Sequence, residues 1–268
     1  MEAHHVDLEA FHIVTWRGVM TRILCAPYAS GKDEAWKIFG NYYKGVILLT
    51  EAKDTNVVYH GKLHRLAVYG GFKFEQLCML PADANPDSLN LYRRGIVNNN
   101  SEFGIVFHST LGPHKLLLGA EIDGLDEDGS TYLELKTSRL MPGGLQSLYK
   151  DRKLLKWWVQ SFLAAVPNIA VGFRDNRGNL ESIERISVAD IPRKSRPFAE
   201  WDPQVVLCFG ELVFTWLKQM LALECVQDSQ VFRFSLTFDP ATSGKSILYS
   251  ANAEDVPPFI DKFVNKAQ

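Results

Sequence analysis

Between Leu116 and Ser138 the side-chain pattern constrains the backbone more tightly than anywhere else in the chain. Leu-Leu-Leu-Gly-Ala-Glu-Ile-Asp leads into an acidic turn containing Gly129, and Thr-Tyr-Leu-Glu-Leu-Lys-Thr-Ser follows it. Over the second half of each arm apolar and charged residues alternate, a period of two that belongs to strands and not to helices. A β-hairpin is therefore expected, with Glu121 and Asp123 on one face of the first arm and Glu134 and Lys136 on one face of the second. Leu116 to Leu118 and Leu133 to Leu135 are apolar enough to set the hairpin inside a sheet, so that its charged face lines a cleft. The plainer alternative is a solvated hairpin with a charged outer face, the better reading for an isolated Glu-x-Lys. Asp126-Glu127-Asp128-Gly129 lacks the spacing and the closing glutamate of a calcium loop and reads as turn chemistry.

Three carboxylates brought together raise one another's pKa and repel until a cation neutralises them. Hard oxygen donors without Cys or His beside them select Mg²⁺ or Mn²⁺ over zinc, and strand-borne carboxylates can hold one or two such ions against phosphate oxygens. Glu-x-Asp, a spacer, then Glu-x-Lys is the arrangement of metal-dependent nucleases, in which the lysine orients the nucleophile or steadies charge developing on the phosphate. The formal charge of -2 gives no global signature of nucleic-acid binding, so any such site is a local basic patch around an acidic, metal-filled centre. With 46% hydrophobic residues, the 268-residue chain can bury one large core, and a single domain over residues 1–268 is expected.

Cys25, Cys78, Cys208 and Cys225 are widely spaced in apolar surroundings and read as buried free thiols of a reducing compartment. The first residues carry no signal-peptide pattern and no apolar run reaches the length of a membrane span, so an intracellular protein without a membrane is expected.

Along the chain, Phe11 to Tyr28 reads as two strands, His12 to Trp16 and Val19 to Ala26, around Arg17-Gly18, with Arg17 left as a surface turn on its residue type alone. Asp33 to Phe39 reads as a short helix capped by Gly40, and Gly45 to Thr50 as a buried strand. From Gly61 to Leu80 apolar residues recur at helical spacing, and Gly70-Gly71 suggests close packing against another backbone. Glu75 stands on the opposite side from Phe74, either pointing toward the carboxylate cluster or solvated. Pro81 to Asn100 reads as a loop and Phe103 to His108 as a strand. Ser147 to Ala165 reads as one helix with an apolar stripe of Leu148, Leu155, Trp158, Val159 and Phe162; Arg152, Lys156 and Gln160 form a second, polar face. Ile169 to Phe173 is a strand followed by a turn over Asp175 to Gly178. Asp202-Pro203 starts a helix whose Val205 to Leu223 is largely buried. Val231 to Phe238 is a half-buried strand, and Pro257 to Lys266 a terminal helix. Thr242 to Ser246 lacks the glycine of a phosphate-binding loop and reads as a connection between strands.

Several of these pieces together resemble one family. They are Trp16-Arg17-Gly18 with Thr21 and Pro27-Tyr28, Gly71-Phe-Lys-Phe-Glu75-Gln76, Glu121-Ile-Asp123, Glu134-Leu-Lys136-Thr-Ser138, and Leu154-Leu-Lys-Trp-Trp-Val-Gln160-Ser-Phe. In order and spacing they resemble the DXO-type decapping exoribonucleases, most clearly up to Arg174. The resemblance implies an α/β (α+β) fold of two packed mixed sheets with flanking helices around a metal-dependent nuclease-like core. It implies hydrolysis at RNA 5′ ends that carry unmethylated guanosine, NAD or a pyrophosphate, with 5′-to-3′ degradation beyond them. By position, Glu121, Asp123, Glu134 and the Leu135 carbonyl would hold Mg²⁺ or Mn²⁺, two ions in all, with Glu75 assisting through water. Lys136 and Gln160 would position the nucleophile and scissile phosphate, with Glu75 beside them, and Arg17 would contact RNA phosphate. The resemblance also implies a nuclear rather than cytoplasmic location and a larger 5′-to-3′ exoribonuclease as partner. Family members usually carry a sizeable segment before the arginine motif, where sixteen residues stand here, so that segment is expected to be missing. The competing readings are a DNA nuclease and a non-catalytic RNA-end-binding scaffold retaining the fold.

Overall fold

Eleven strands build two mixed sheets in a computed structural model that describes residues 6–31, 34–52, 61–80, 89–97, 103–198, 200–224, 230–241 and 246–251. In chain order the elements are β1 (Ile13–Trp16), α1 (Arg17–Cys25), β2 (Trp36–Tyr43), β3 (Val46–Glu51), α2 (Gly61–Cys78), α3 (Leu89–Arg94), β4 (Phe103–Leu111), β5 (His114–Ile122) and β6 (Gly124–Leu125). There follow β7 (Tyr132–Arg139), α4 (Leu145–Leu148), α5 (Lys153–Leu163), β8 (Asn168–Arg174), β9 (Leu180–Ser187), α6 (Ile191–Ser195), α7 (Pro203–Leu223), β10 (Phe232–Phe238) and β11 (Ile247–Ala251). The chain divides into two compact units, one of residues 1–53, 106–120 and 201–268, the other of residues 54–105 and 121–200.

The first unit is built on a seven-stranded sheet in the order β11-β10-β2-β3-β1-β5-β4. Its inner strand β1 runs parallel to both neighbours, pairing Ile13 with Ile47 on one side and with Leu116 on the other. All three side chains are fully buried, as expected of parallel strands covered on both faces. Thr15, the buried polar residue of β1, donates its hydroxyl to the Leu49 carbonyl at 2.9 Å. Toward the antiparallel edge, Gly40 of β2 pairs with Phe234 of β10, and the Phe234 ring fills the space that a Cβ on Gly40 would need.

Two expected elements take another form in this unit. Val19 to Ala26 is helical: α1 begins at Arg17, and its buried Val19, Met20, Ile23 and Leu24 follow helical spacing, with the Thr21 hydroxyl bonded back to the Arg17 carbonyl at 2.8 Å. Asp33 to Phe39 is not a helix from Trp36 onward, since β2 occupies that stretch and Gly40 lies inside the strand instead of capping a helix; residue 33 lies outside the described residues. The strand at Gly45 to Thr50 is present as β3.

Helix α7 starts as expected, with the Asp202 carboxylate accepting the Gln204 N–H at 2.7 Å and Pro203 in the first turn. Its burial is a stripe and not a full jacket: Val206, Val213, Phe214, Leu217 and Leu221 are covered, whereas Leu212 and Leu223 are exposed. Gly210 on that stripe lets Leu24 of α1 and Leu111 approach the helix backbone. By length and composition alone α7 is apolar enough to cross a membrane, contrary to the expectation that no such run exists. Cys208 on this helix is exposed and Cys25 half-buried, so burial of the thiols is not general; Cys225 lies outside the described residues. Val231 to Phe238 is present as β10. The terminal helix at Pro257 to Lys266 and most of Thr242 to Ser246 lie outside the described residues.

The second unit carries the four-stranded sheet β6-β7-β8-β9, in which β7 and β8 are parallel and the outer pairs antiparallel. Helix α2 lies on one face of it. Phe74 packs on Leu133, Leu135 and Ala170, and its ring passes over Gly172, where a Cβ would collide with it. Gly70 faces the Arg174 side chain and Gly71 meets nothing, so among the described residues the expected backbone contact at Gly70-Gly71 is absent. Within the loop expected at Pro81 to Asn100 sits α3. The Lys73 ammonium donates to the Arg93 carbonyl at 2.5 Å and to Gln76 Oε1 at 2.7 Å, while Gln76 Nε2 donates to the Tyr92 carbonyl at 3.0 Å, so α2 caps the last turn of α3.

The helix expected over Ser147 to Ala165 is broken into α4 and α5, and between them the Asp151 carboxylate accepts the N–H of Lys153, the first residue of α5, at 3.0 Å. Leu148, Leu155, Trp158 and Val159 of the apolar stripe are buried, while Phe162 is exposed and stacks on Trp158. The turn after β8 forms as expected, with the Asp175 carboxylate accepting the Arg177 and Asn179 N–H groups at 2.8 Å each and Gly178 at φ +94°.

Candidate active site

The second unit places its charge on β7 by alternation. Leu133 and Leu135 face α2, which leaves Glu134 and Lys136 on the opposite face of the strand. Glu134 is 1% exposed, and a carboxylate so deeply covered needs a partner. Lys136 supplies it at 2.5 Å. The same ammonium stands 4.0 Å from Asp123 Oδ2.

The anticipated hairpin is smaller than expected. β5 belongs to the seven-stranded sheet and β7 to the four-stranded one, so only β6, Gly124 and Leu125, pairs back on β7 through Leu133 and Tyr132. The Asp126 to Gly129 segment is the turn that was expected, its Asp128 carboxylate accepting the Ser130 and Thr131 N–H groups at 2.9 Å each. Where β6 stops, Asp123 takes over: its Oδ2 accepts the Leu135 N–H at 2.5 Å. In an extended strand the N–H and C=O of one residue point to the same side, so the Leu135 carbonyl opens on the edge where Asp123 stands. Sequence patterning places Asp123 on a shared face with Glu121; its hydrogen bond to a strand edge has no sequence signal, because it depends on where β6 ends.

Glu75 reaches this edge from α2. Its carboxyl is pushed up to about 7, first by partial burial and then by Asp123, with smaller contributions from Glu121 and Glu134 in the same direction and an opposing one from Lys136. Five of the expected site residues therefore sense one another: Glu75, Glu121, Asp123, Glu134 and Lys136. The reading of Glu75 as a solvated helix glutamate is the one that fails. Glu121 is exposed, Asp123 half-buried and Glu134 buried, a gradation from solvent into the sheet.

The donor set is all oxygen, carries excess negative charge and raises a carboxyl to neutrality, and so fits a hard dication better than a soft one. The carboxylates are nevertheless not drawn into a closed cage: among the described residues, no three His, Cys, Asp or Glu side chains are grouped closely enough to hold a metal ion. Gln160 lies half-buried on α5, while Arg152 and Lys156 are exposed beside it. Arg17 belongs to the first unit. It is the first residue of α1 and is buried, so it is no surface turn. A guanidinium at a helix N-terminus opposes the helix dipole, which makes this a placement that helix stability does not favour.

A family model described as RAI1-like PD-(D/E)XK nuclease matches residues 1–262. The chain is 34% identical over 229 residues to decapping nuclease RAI1 of Aspergillus fumigatus, a match covering 78% of this chain and 62% of that protein. It is 36% identical over 213 residues to the decapping and exoribonuclease protein of Homo sapiens, covering 74% of this chain and 51% of that one. The chain thus spans between about half and three fifths of the length of these relatives. Among solved structures, Candida albicans Rai1 in complex with pU5 and Mn²⁺ superposes with a TM-score of 0.74 at 25% identity, covering 95% of this chain and 72% of that one.

Proposed function

Because the chain belongs to the RAI1-like PD-(D/E)XK nuclease family, we propose that it is a metal-dependent hydrolase of RNA 5′ ends that removes incomplete or non-canonical caps. The observation that carries this reading is the meeting of Glu75, Asp123, Glu134 and Lys136 at the open edge of β7. The Mn²⁺ and pU5 bound to Candida albicans Rai1 support the same chemistry here.

Glu121, Asp123, Glu134 and the Leu135 carbonyl would hold Mg²⁺ or Mn²⁺, two ions in this reading, and Glu75 would assist them through water. When bound, the ions supply an activated water and neutralise charge on the phosphate. Lys136 donates a hydrogen bond to the attacking oxygen or to the phosphate from a position fixed by Glu134. Glu75, whose carboxyl is raised by burial and by Asp123, is the site group whose charge responds most to a cation bound beside it. Gln160 aligns the scissile phosphate without adding charge. Arg17 grips RNA phosphate with its planar fork, a task for which lysine is a poor substitute.

The test is incubation of the purified protein with end-labelled RNAs bearing guanosine, NAD, triphosphate or monophosphate 5′ ends, and with a matched DNA, with and without Mn²⁺. Ion-dependent release of the 5′ group from RNA supports the proposal. Equal cleavage of DNA returns the DNA-nuclease reading, and end binding without hydrolysis returns the scaffold reading.

A further inference from the structure

On the α2 face of the small sheet, opposite Glu134 and Lys136, the second unit forms an open cavity of about 200 Å³. Its walls are Tyr69 and Phe74 from α2, Thr137 from β7, Arg174 and Leu180 from β8 and β9, and Arg177 from the turn between them. The Arg174 Nε–H is buried and finds no acceptor among the described residues. A buried donor of a charged group left unmet is costly and marks a place where an acceptor is wanted.

The backbone arranges this with some care for charge. Between Phe173 and Arg174 the β8–β9 register shifts, so that Phe173 pairs with Ser182 and Arg174 with Leu180, passing over Glu181. Leu180, and not Glu181, is thereby the cross-strand partner of Arg174. Asp175 could neutralise Arg177, but its carboxylate is engaged by the Arg177 and Asn179 backbone N–H groups and by the Asn179 amide at 2.9 Å. Lys73 also lines the cavity, yet its ammonium is turned to Gln76 and the end of α3. Gly70 faces the Arg174 stem, whose Cδ would stand 3.8 Å from a Cβ at that position.

We propose that this cavity binds one phosphate-bearing nucleotide unit, with Arg174 and Arg177 on the phosphate and Tyr69 against the base or sugar. Two guanidiniums recognise phosphate with forked hydrogen bonds. An aromatic ring beside them gives a base a stacking surface that is indifferent to its identity. A volume of about 200 Å³ lies below the usual range for whole drug-sized ligands, which limits the occupant to a single unit. The pocket lies on the other face of β7 from Glu134 and Lys136 and needs no metal. Its occupant is either a free mononucleotide or one residue of an RNA chain, and both present the same phosphate chemistry.

Calorimetric titration of the full chain with AMP, in a chelator and at low salt, tests the proposal. AMP is expected to bind, adenosine not to, and added salt to weaken the interaction. Arg174→Gln should weaken AMP binding on the order of tenfold or more, and Arg174→Lys by less. Gly70→Leu, which fills the cavity without removing charge, should abolish binding and carries the test if Arg174→Gln fails to fold by melting. Asp123→Ala should leave AMP affinity unchanged. Competition with a pentauridine bearing a 5′ hydroxyl separates the two occupants, since displacement of AMP identifies a chain residue and its absence a free mononucleotide. No AMP binding by the wild-type chain, equal affinity in Arg174→Gln and Gly70→Leu, or loss of binding in Asp123→Ala instead, overturns it.

Discussion

Strands β1 and β7 are both held by parallel pairing to a neighbour, yet one buries hydrocarbon and the other a carboxylate. β1 has a strand on each side, and Ile13 sits among Ile47 and Leu116 with no charge in register. β7 has β8 along one side and only the two residues of β6 on the other. The stretch beyond β6 is where Asp123, Lys136 and Glu75 gather. Full pairing on both edges leaves a strand nothing to offer a ligand; an edge closed by side chains gives backbone and carboxylate oxygens a common opening.

The largest effect that would test this contrast lies on β7. Glu134→Ala should lower RNA hydrolysis on the order of a thousandfold, a loss of several kcal/mol of transition-state stabilisation, while melting shows a folded protein. A chelator should have the same consequence in the wild type, and wild-type rates in the chelator would break the comparison. In the first unit the reverse holds. Phe234→Ala removes the ring that covers Gly40 and should cost about 3–5 kcal/mol in denaturant unfolding, with hydrolysis per folded molecule unchanged.

A smaller effect is expected from Glu75. Its folded pKa, about 7, lies above its unfolded value of 4.5, so the folded state holds the proton longer. The associated stability is fully present below pH 4.5, declines as pH rises through the interval to about 7, and stays lost above it. Metal-free melting from pH 4 to 8 should therefore show a decline in the wild type that is weaker in Glu75→Gln, and Glu75→Gln should be the more stable protein at pH 8. Parallel profiles would detach Glu75 from the cluster. The smallest effect is Asp202→Ala, loss of an N-cap on α7 worth about 1 kcal/mol by thermal unfolding, with no change at β7.

The sequence announced the charged residues of the site better than the scaffold that presents them. Glu121, Asp123, Glu134 and Lys136 were legible because alternation fixes faces within a few residues. The joining of both arms in one hairpin was not, since whether two strands pair or part depends on partners far along the chain, β1 for β5 and β8 for β7. Val19 to Ala26 was misread for a related reason: its β-branched and apolar residues fit a half-buried strand as well as a helix, and packing of Leu24 against α7 at Gly210 decides for the helix. Trp36 to Phe39 was misread in the other direction, being too short to show its period, and only the pairing of β2 with β10 and β3 settles it. Arg17 was invisible to residue-type reasoning, because its burial follows from α1 starting one residue after β1 ends.

The hydrogen bond from the Leu135 N–H to Asp123 has a consequence outside catalysis. A strand edge with free N–H and C=O groups is a template on which another chain can add a strand, and proteins blunt such edges with charge. Asp123 occupies that edge with an anion at the point where β6 ends. With Leu135 only 3% exposed, what the anion meets there is a buried backbone donor, and losing Asp123 would leave that N–H without its acceptor at a cost of about 1–3 kcal/mol, measurable by unfolding.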